Sequence, residues 1–355
     1  MLPQLAHLAP EFSEPCSTSI FLQADASRET SMPRIFDHPN VPDGKWDYVF
    51  NLGGETAWSQ AYEIYKLRSH QLSITLAKEA ARRGVGAFVE ASTGMVYSSN
   101  RTPRVEGDKL KPWIKLARVK LETEQELAKI SGLNLIILRF AHVYGEYESN
   151  LLGKVLCLAR IDQEQQKEMK WLWTEELRIN TVYVEDAARA LWTAAQWRSH
   201  NSNVAPSSPS LSRRSTFSGK GEGGSLSGVP IFNVVDHGDT SQGVLARIVA
   251  EVFNIKTGFH GTLISQFARL NLESVVDDLN EDILGPWADM LEKNGITRPG
   301  PLSPFVEKEL LKDADLSLDG SSFEKTTGFK YEREKLTTDG VRAMLDSYKR
   351  MEWWP

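Results

Sequence analysis

The sequence contains few cysteines and no long apolar run. Cys16 and Cys157 are its only cysteines among 355 residues, so we expect neither a disulfide framework nor a cysteine-ligated metal site, and we interpret both thiols as structural. No apolar stretch approaches the ~18 residues of a membrane span, and the amino-terminal residues lack a basic segment followed by a sustained apolar core. We therefore expect a cytoplasmic protein that has no membrane partner.

Long basic blocks are also missing. The 41 Lys and Arg residues are outnumbered by 47 Asp and Glu residues, which gives a net charge of −6. A nucleic-acid partner requires a concentrated positive surface, so we do not expect one. The sequence is nevertheless long and apolar enough to bury a sizeable core.

Short apolar, β-branched runs alternate with helical patterns along the chain. A long helical stretch is predicted to end at Gly84, and another helix is predicted to open at Pro112 and close near Gly132. This alternation is typical of an α/β protein with a doubly wound, mostly parallel sheet. The runs that predict strands are residues 19–25, 47–52, 86–92, 134–140 and 231–236.

Five segments occur in an order that resembles a known family. They are "LQADAS" with Asp25, "VFNLGGET" with Gly53 and Gly54, "VEASTGMVYSS" with Thr93, "LRFAHVYGEY" with His142, and "INTVYVEDAARAL". From about residue 19 to 200, and again from 230 to the end, the chain resembles the extended short-chain dehydrogenase/reductases, the NAD-dependent epimerase/dehydratase family.

The resemblance implies a particular organisation. Residues 1–150 would form a Rossmann-like dinucleotide-binding region, and residues 151–198 and 230–355 would complete the sheet and form a smaller, mainly helical substrate region. Residues 199–229 are rich in Ser, Gly and Pro, and we predict that they form a flexible insertion. The "RRSTFS" run within it is interpreted as ordinary solvated loop in preference to a phosphorylation site.

The resemblance also implies a cofactor and a partner. NAD or NADP would be bound, with Asp25, Gly53 and Gly54 near it, and the partner would be a small molecule such as a nucleotide sugar. Structural alternatives stay open, because Asp25 could accept turn amides and the glycines could form only a tight turn. The resemblance is also compatible with a homodimer of this chain. Asp186 and Tyr183 are interpreted as structural.

The segment "LARVKLETE", residues 116–124, departs from the family at its main catalytic position. Leu116 stands where the family has the tyrosine that transfers the substrate proton, and leucine cannot do so. Lys120 lies one turn later on the same helix face. In the family this lysine binds the nicotinamide ribose; the structural alternative is a surface ion pair between Lys120 and Glu124.

Other side chains are candidates to replace the tyrosine. Thr93 would polarise a substrate carbonyl but is a poor base on its own. His142 is the predicted acid/base, because a histidine titrates near neutral pH. Further candidates are Tyr97 and Tyr144, in the two "VY" motifs, and Glu106, in the loop before the helix.

The family's opening strand and Gly-x-x-Gly-x-x-Gly turn are not found before residue 50. That turn holds the cofactor pyrophosphate, so we expect a shortened form of a longer protein, with weak or absent dinucleotide binding. Two functions remain. One is an NAD(P)-dependent epimerase/dehydratase-like oxidoreductase; the other is a non-catalytic scaffold or regulatory protein that binds a protein partner.

Overall fold

A computed structural model describes residues 22–39, 41, 45–202 and 228–355. Most of the predicted insertion, residues 203–227, and residues 1–21, which include Cys16, lie outside these ranges. The strand predicted at 19–25 is wrong in its described part, because residues 22–25 form no strand. The Asp25 carboxylate accepts hydrogen bonds from the backbone N–H of Ser27 at 3.1 Å and from its hydroxyl at 2.6 Å. These local bonds form a turn in place of a strand ladder.

Eight strands occur within the described ranges. They are β1 (Tyr48–Asn51), β2 (Ala87–Thr93), β3 (Leu135–Phe140), β4 (His142–Tyr144), β5 (Met169–Trp171), β6 (Thr181–Tyr183), β7 (Ile231–Val234) and β8 (Thr257–Phe259). The main sheet has the order β1-β2-β3-β7 and is parallel throughout. The other four strands form two parallel pairs, β4 with β6 and β5 with β8. The predictions of strands at 47–52, 86–92, 134–140 and 231–236 are confirmed to within two residues at each end.

The helices connect these strands and cover them. They are α1 (Met32–Phe36), α2 (Tyr62–Tyr65), α3 (Leu72–Arg82), α4 (Lys115–Leu127), α5 (Leu151–Glu164), α6 (Val184–His200), α7 (Gln242–Phe253), α8 (Thr262–Leu270), α9 (Leu272–Lys293), α10 (Ser321–Thr327) and α11 (Thr338–Arg350). A π-helical turn, Lys66–Gln71, joins α2 to α3. Helix α6 includes residues 199 and 200, so the predicted start of the insertion at residue 199 is two residues too early.

Two helix boundaries show how the sequence sets this geometry. Gly84 follows α3 with φ +65°, a left-handed conformation that favours glycine, and this confirms the predicted helix end. Helix α4 begins at Lys115 and not at the predicted Pro112. Ile114 is extended, and the Lys115 amide donates to Glu309 Oε1 at 2.9 Å. A carboxylate that is distant in sequence thus caps the helix, so its start was not readable locally.

The main sheet is covered on both faces. Val89 and Ile136 are fully buried in one cluster with the alanines of α6, whereas Phe88 and Ile137 on the opposite face are buried with residues of α3. This alternation follows from the two-residue period of a strand. The result is a three-layer, doubly wound α/β fold, as predicted.

A second core lies in the carboxyl-terminal part of the chain. Helices α5, α7, α9 and α11 contribute Leu156, Leu245, Trp287 and Tyr348 to one apolar cluster. This part is mainly helical, as expected, and β5 and β8 lie at its side. The domain boundary near residue 150 stays a prediction. None of the helices in the described ranges is long and apolar enough to cross a membrane.

Candidate active site

A cleft of about 460 Å³ lies at the carboxyl ends of β1, β2 and β3. This is the edge at which doubly wound sheets bind ligands, because the loops that follow successive parallel strands converge there. Six of the seven predicted site positions, counting Leu116, line it. These six are Gly53, Gly54, Thr93, Leu116, Lys120 and His142.

Asp25 is not among the residues that line this cleft. Its carboxylate is exposed and is engaged by Ser27 and by Arg28, whose Nε lies 2.9 Å away. The hydrogen bonds from Ser27 hold the pKa of Asp25 below its usual value. These contacts match the structural alternative for Asp25, and its cofactor role stays a prediction.

The glycine pair forms the turn that follows β1. Gly54 has φ +145°, and a Cβ at this position would lie 2.8 Å from Ser69 Oγ. The Gly53 amide donates to the side-chain oxygen of Asn51 at 3.2 Å. Both a side-chain-free backbone and an anchored turn are required for a ligand to approach the main chain closely.

Lys120 reaches from α4 across the end of β2. Its Nζ donates to the carbonyl oxygen of Ala91 at 2.7 Å and lies 3.3 Å from Glu90 Oε1. Glu90 is fully buried, and its other oxygen accepts from Asn51 Nδ2 at 2.6 Å. An ammonium group has three N–H donors. Two are used by these acceptors, which leaves one for a ligand in the cleft.

The surface pair between Lys120 and Glu124 does not form. Glu124 is buried and accepts from Arg139 Nη2 at 2.6 Å and Nε at 3.1 Å, while the Ser92 hydroxyl donates to the same carboxylate. Arg139 is 1% exposed and donates to the Tyr97 hydroxyl at 2.8 Å. Helix α4 is therefore tied to β2 and β3 by buried ionic contacts, which position Lys120.

Leu116 lines the cleft and presents only methyl groups there, so it cannot donate or accept a proton. The Thr93 hydroxyl accepts from the Met95 amide at 3.2 Å and still has a proton to donate. His142 also lines the cleft, and burial lowers its pKa to about 4. Its imidazole is therefore neutral near pH 7, where it can accept or donate a hydrogen bond but carries no charge.

Glu148 is a cleft residue that the sequence reasoning missed. Its carboxylate accepts from the amides of Asn150 at 2.6 Å and Gly153 at 2.8 Å, at the start of α5. Burial nevertheless raises its pKa to about 7. An acidic residue just before a helix is usually a cap, so the sequence pattern gave no sign that this carboxyl would line the cleft and titrate near neutral pH.

An inner cavity of about 470 Å³ adjoins the cleft. Trp58, His142 and Leu151 line both spaces. The cavity extends from them between α5, β5, α7 and α9. A ligand in this cavity would therefore lie beside the predicted catalytic positions.

The residues interpreted as structural have structural contacts. Asp186 is fully buried and accepts from the amides of Glu332 and Arg333, both at 2.9 Å. Tyr183 packs against Tyr144 with ring centroids 5.5 Å apart. Cys157 is a buried free thiol. In the described part of the chain, no group of three or more His, Cys, Asp or Glu side chains could hold a metal ion.

Comparison with known proteins identifies related sequences and folds. The model of the NAD dependent epimerase/dehydratase family matches residues 6–205. None of the curated proteins compared with the chain matches it.

Solved structures match over most of the chain. The enzyme WbmG of Bordetella bronchiseptica, solved with NAD and UDP, is 14% identical with a TM-score of 0.58, and the match covers 94% of this chain and 81% of that one. UDP-glucuronic acid 4-epimerase of Bacillus cereus, solved with NAD, is 12% identical with a TM-score of 0.61, covering 96% and 84%. UDP-glucose 4-epimerase of Thermotoga maritima, solved with UDP-glucose, is 17% identical with a TM-score of 0.57, covering 94% and 85%. At these identities the similarity establishes the fold.

Proposed function

Because the chain belongs to the NAD dependent epimerase/dehydratase family, we propose that it is an NAD(P)-dependent oxidoreductase acting on a sugar-like or other carbonyl substrate. The observation that supports this is the convergence of Gly53, Gly54, Thr93, Lys120 and His142 in one cleft at the ends of parallel strands. Ligands of open α/β sheets bind at such positions.

The cleft fits one end of a nicotinamide dinucleotide better than the other. The free N–H of Lys120 is suited to a ribose hydroxyl, and the bare backbone at Gly53 and Gly54 permits close approach. The glycine-rich turn that would hold the pyrophosphate is not found before residue 50. A bound dinucleotide would supply hydride transfer. We therefore expect binding that is weak and directed by the nicotinamide end.

The chain's own residues would handle the substrate oxygen and its proton. Thr93 donates a hydrogen bond to a carbonyl oxygen, and neutral His142, which also lines the cleft, helps to orient the substrate. Glu148 is the group suited to proton transfer, because a general acid or base works best when its pKa lies near the operating pH. The acid/base role of His142 stays a prediction, and its pKa, lowered by burial to about 4, leaves the imidazole unprotonated near neutral pH.

Calorimetric titration of NAD(H) and NADP(H), followed by turnover assays on nucleotide sugars and simple carbonyls, tests the function. The double variant Lys120→Met/Glu90→Gln removes the ribose donor without leaving a buried carboxylate unpaired, and we expect it to weaken binding about tenfold or more. Lys129→Met, an exposed lysine just beyond α4, is the matched control. Absence of both binding and turnover in the unmodified chain would refute the proposal.

Leu116 is the specific observation that favours the second function, a non-catalytic scaffold. With no proton donor at this position, the fold could retain a ligand site without chemistry. The Ser-rich segment 199–229 or the tryptophan-containing carboxyl terminus would then serve a protein partner. Co-purification of a stoichiometric partner, together with an inactive chain, is the result expected for this alternative.

A further inference from the structure

The wall of the inner cavity beside the cleft contains several indole rings. Four tryptophans line it, Trp58, Trp113, Trp171 and Trp173, together with aliphatic side chains from α5 and α9. Flat indole rings favour stacking or edge contact with another flat apolar group. Small-molecule sites of this kind bind through apolar surface and use a few polar atoms for orientation.

The charges around the cavity do not suit a diphosphate. No arginine lines it, and its lysines already have acceptors. Lys154 Nζ donates to the carbonyl of Phe305 at 2.6 Å and lies 3.1 Å from Glu307, and Lys312 Nζ donates to the carbonyl of Trp113 at 2.6 Å. The remaining lysine, Lys170, lies 3.4 Å from Glu168.

Carboxylates add to this mismatch. Asp162, Asp278, Asp282 and Glu309 also line the cavity. Burial raises the pKa of Asp162 to about 6, which shows that a negative charge is poorly solvated at that point. A pyrophosphate group would therefore lose its hydration, meet no arginine and only lysines that already have oxygen partners, and approach several carboxylates.

Two lining residues carry a buried polar atom that has no partner among the described residues. These atoms are the indole N–H of Trp171 and the side-chain oxygen of Gln242. Trp171 is 8% exposed and Gln242 is 9% exposed. The neighbouring indoles are satisfied: Trp58 donates to Asn150 Oδ1 at 2.9 Å and Trp173 to the carbonyl of Leu311 at 2.8 Å. An unpaired buried donor is costly, and a ligand oxygen would satisfy it.

We propose that this cavity binds an uncharged aromatic ketone or alcohol, and that such a compound, rather than a nucleotide sugar, is the substrate. The inference rests on the proposed oxidoreductase function of the adjoining cleft. The aromatic part of the ligand packs among the four tryptophans, and its oxygen accepts from Trp171 Nε1. Trp58, His142 and Leu151 line both spaces, so the bound molecule borders the cleft that contains Thr93 and Leu116.

Binding to the full chain without cofactor tests the cavity separately from catalysis. Benzophenone is the probe, diphenylmethane is its counterpart without the oxygen, and UDP and UDP-glucose represent the nucleotide class. We expect benzophenone to bind more tightly than either nucleotide. Tighter binding of UDP or UDP-glucose, or no binding of benzophenone, would overturn the inference. This comparison needs no variant and so does not depend on whether a mutant folds.

A substitution tests the hydrogen bond. Trp171→Phe keeps an aromatic ring and removes the N–H, so we expect benzophenone affinity to fall about fivefold and diphenylmethane affinity to stay unchanged. Trp192→Phe is the control, because Trp192 is 52% exposed on α6, away from the cavity. An equal loss for both probes would contradict the assigned hydrogen bond.

Turnover distinguishes this inference from the proposed function. If benzophenone binds but NAD and NADP support no oxidation of its alcohol or of any other substrate, the oxidoreductase function fails and the cavity assignment stands. If UDP-glucose is converted with NAD while benzophenone is not bound, the function stands and the cavity assignment fails.

Discussion

Lys120 Nζ and Glu90 Oε1 lie 3.3 Å apart between α4 and β2. The carboxylate belongs to a residue that is completely buried in a central strand, and burial raises its pKa. The lysine side chain is 14% exposed and borders the cleft. One lysine therefore balances a buried charge and presents a donor to a ligand, so its structural and functional roles are linked.

The first prediction concerns this pair. Lys120→Met leaves Glu90 without its cation, and we expect a loss of about 3–5 kcal/mol in the free energy of unfolding, as for other broken buried pairs. Lys120→Met/Glu90→Gln removes both charges, keeps an acceptor oxygen for Asn51 and places an NH2 group that can donate to the Ser73 hydroxyl, so most of the loss should be recovered. Denaturant titration of the single and double variants measures the difference. Equal stability of the two variants would show that the pair is not coupled.

The second prediction concerns the missing tyrosine. Under the oxidoreductase function, Leu116→Tyr introduces a hydroxyl within the cleft beside Lys120, and we expect NAD(P)-dependent turnover to rise by about a hundredfold, the lower range for a positioned acid or base. Leu116→Phe controls for the added ring. Absence of activity from both variants would instead support the non-catalytic scaffold, and equal activity in the two would show that position 116 transfers no proton.

Particular residues show what could be predicted from the sequence. The strand pattern, Gly84 and the glycine pair after β1 were readable because periodicity and backbone freedom are local properties. Thr93 and His142 were predicted from the resemblance to the family, and the structure places both at the edge where parallel strands end. The cleft residues could thus be grouped before their distances were known.

Distant contacts decide the features that the local sequence does not show. Lys120 pairs with Glu90 and Glu124 with Arg139, although the i,i+4 rule suggests that the two helix residues pair with each other. The start of α4 depends on Glu309, nearly two hundred positions away in sequence. Glu148 resembles a simple helix cap, and only the packing around it raises its pKa.

The third prediction concerns the turn after β1. Gly54→Ala places a Cβ 2.8 Å from Ser69 Oγ and a side chain at φ +145°. We expect a loss of about 1–3 kcal/mol of stability. Because Ser69 Oγ accepts from the Glu55 amide at 3.0 Å, the clash should also disturb the cleft wall. Gly261→Ala is the control, since a Cβ there meets nothing within 4 Å. Thermal unfolding of both variants gives the comparison, and equal stability would contradict the requirement for glycine.

The fourth prediction concerns pH and Glu148. Its pKa rises from an ordinary value of 4.5 to about 7 in the folded protein. Between these values the folded chain binds more protons than the unfolded chain, so stability must fall as pH rises through this window. The stabilisation from the protonated Glu148 carboxyl is fully present below pH 4.5 and is lost above about pH 7. A shift of this size corresponds to about 3 kcal/mol.

Glu148→Gln should remove this dependence, because the amide stays neutral at every pH. Its one acceptor oxygen can serve either the Asn150 or the Gly153 amide but not both, so the variant should start from a lower stability and show a flatter pH profile. We therefore expect the variant to lose less stability than the unmodified protein between pH 5 and pH 7. Asp162→Asn should remove a separate part of the pH dependence of stability, at lower pH, since burial raises the pKa of Asp162 only to about 6. Glu146→Gln controls for the loss of one negative charge from the same loop. Denaturant titrations across this pH range measure the slopes, and an unchanged slope in Glu148→Gln would mean that the carboxyl ionises freely in the cleft and is unsuited to proton transfer near neutral pH.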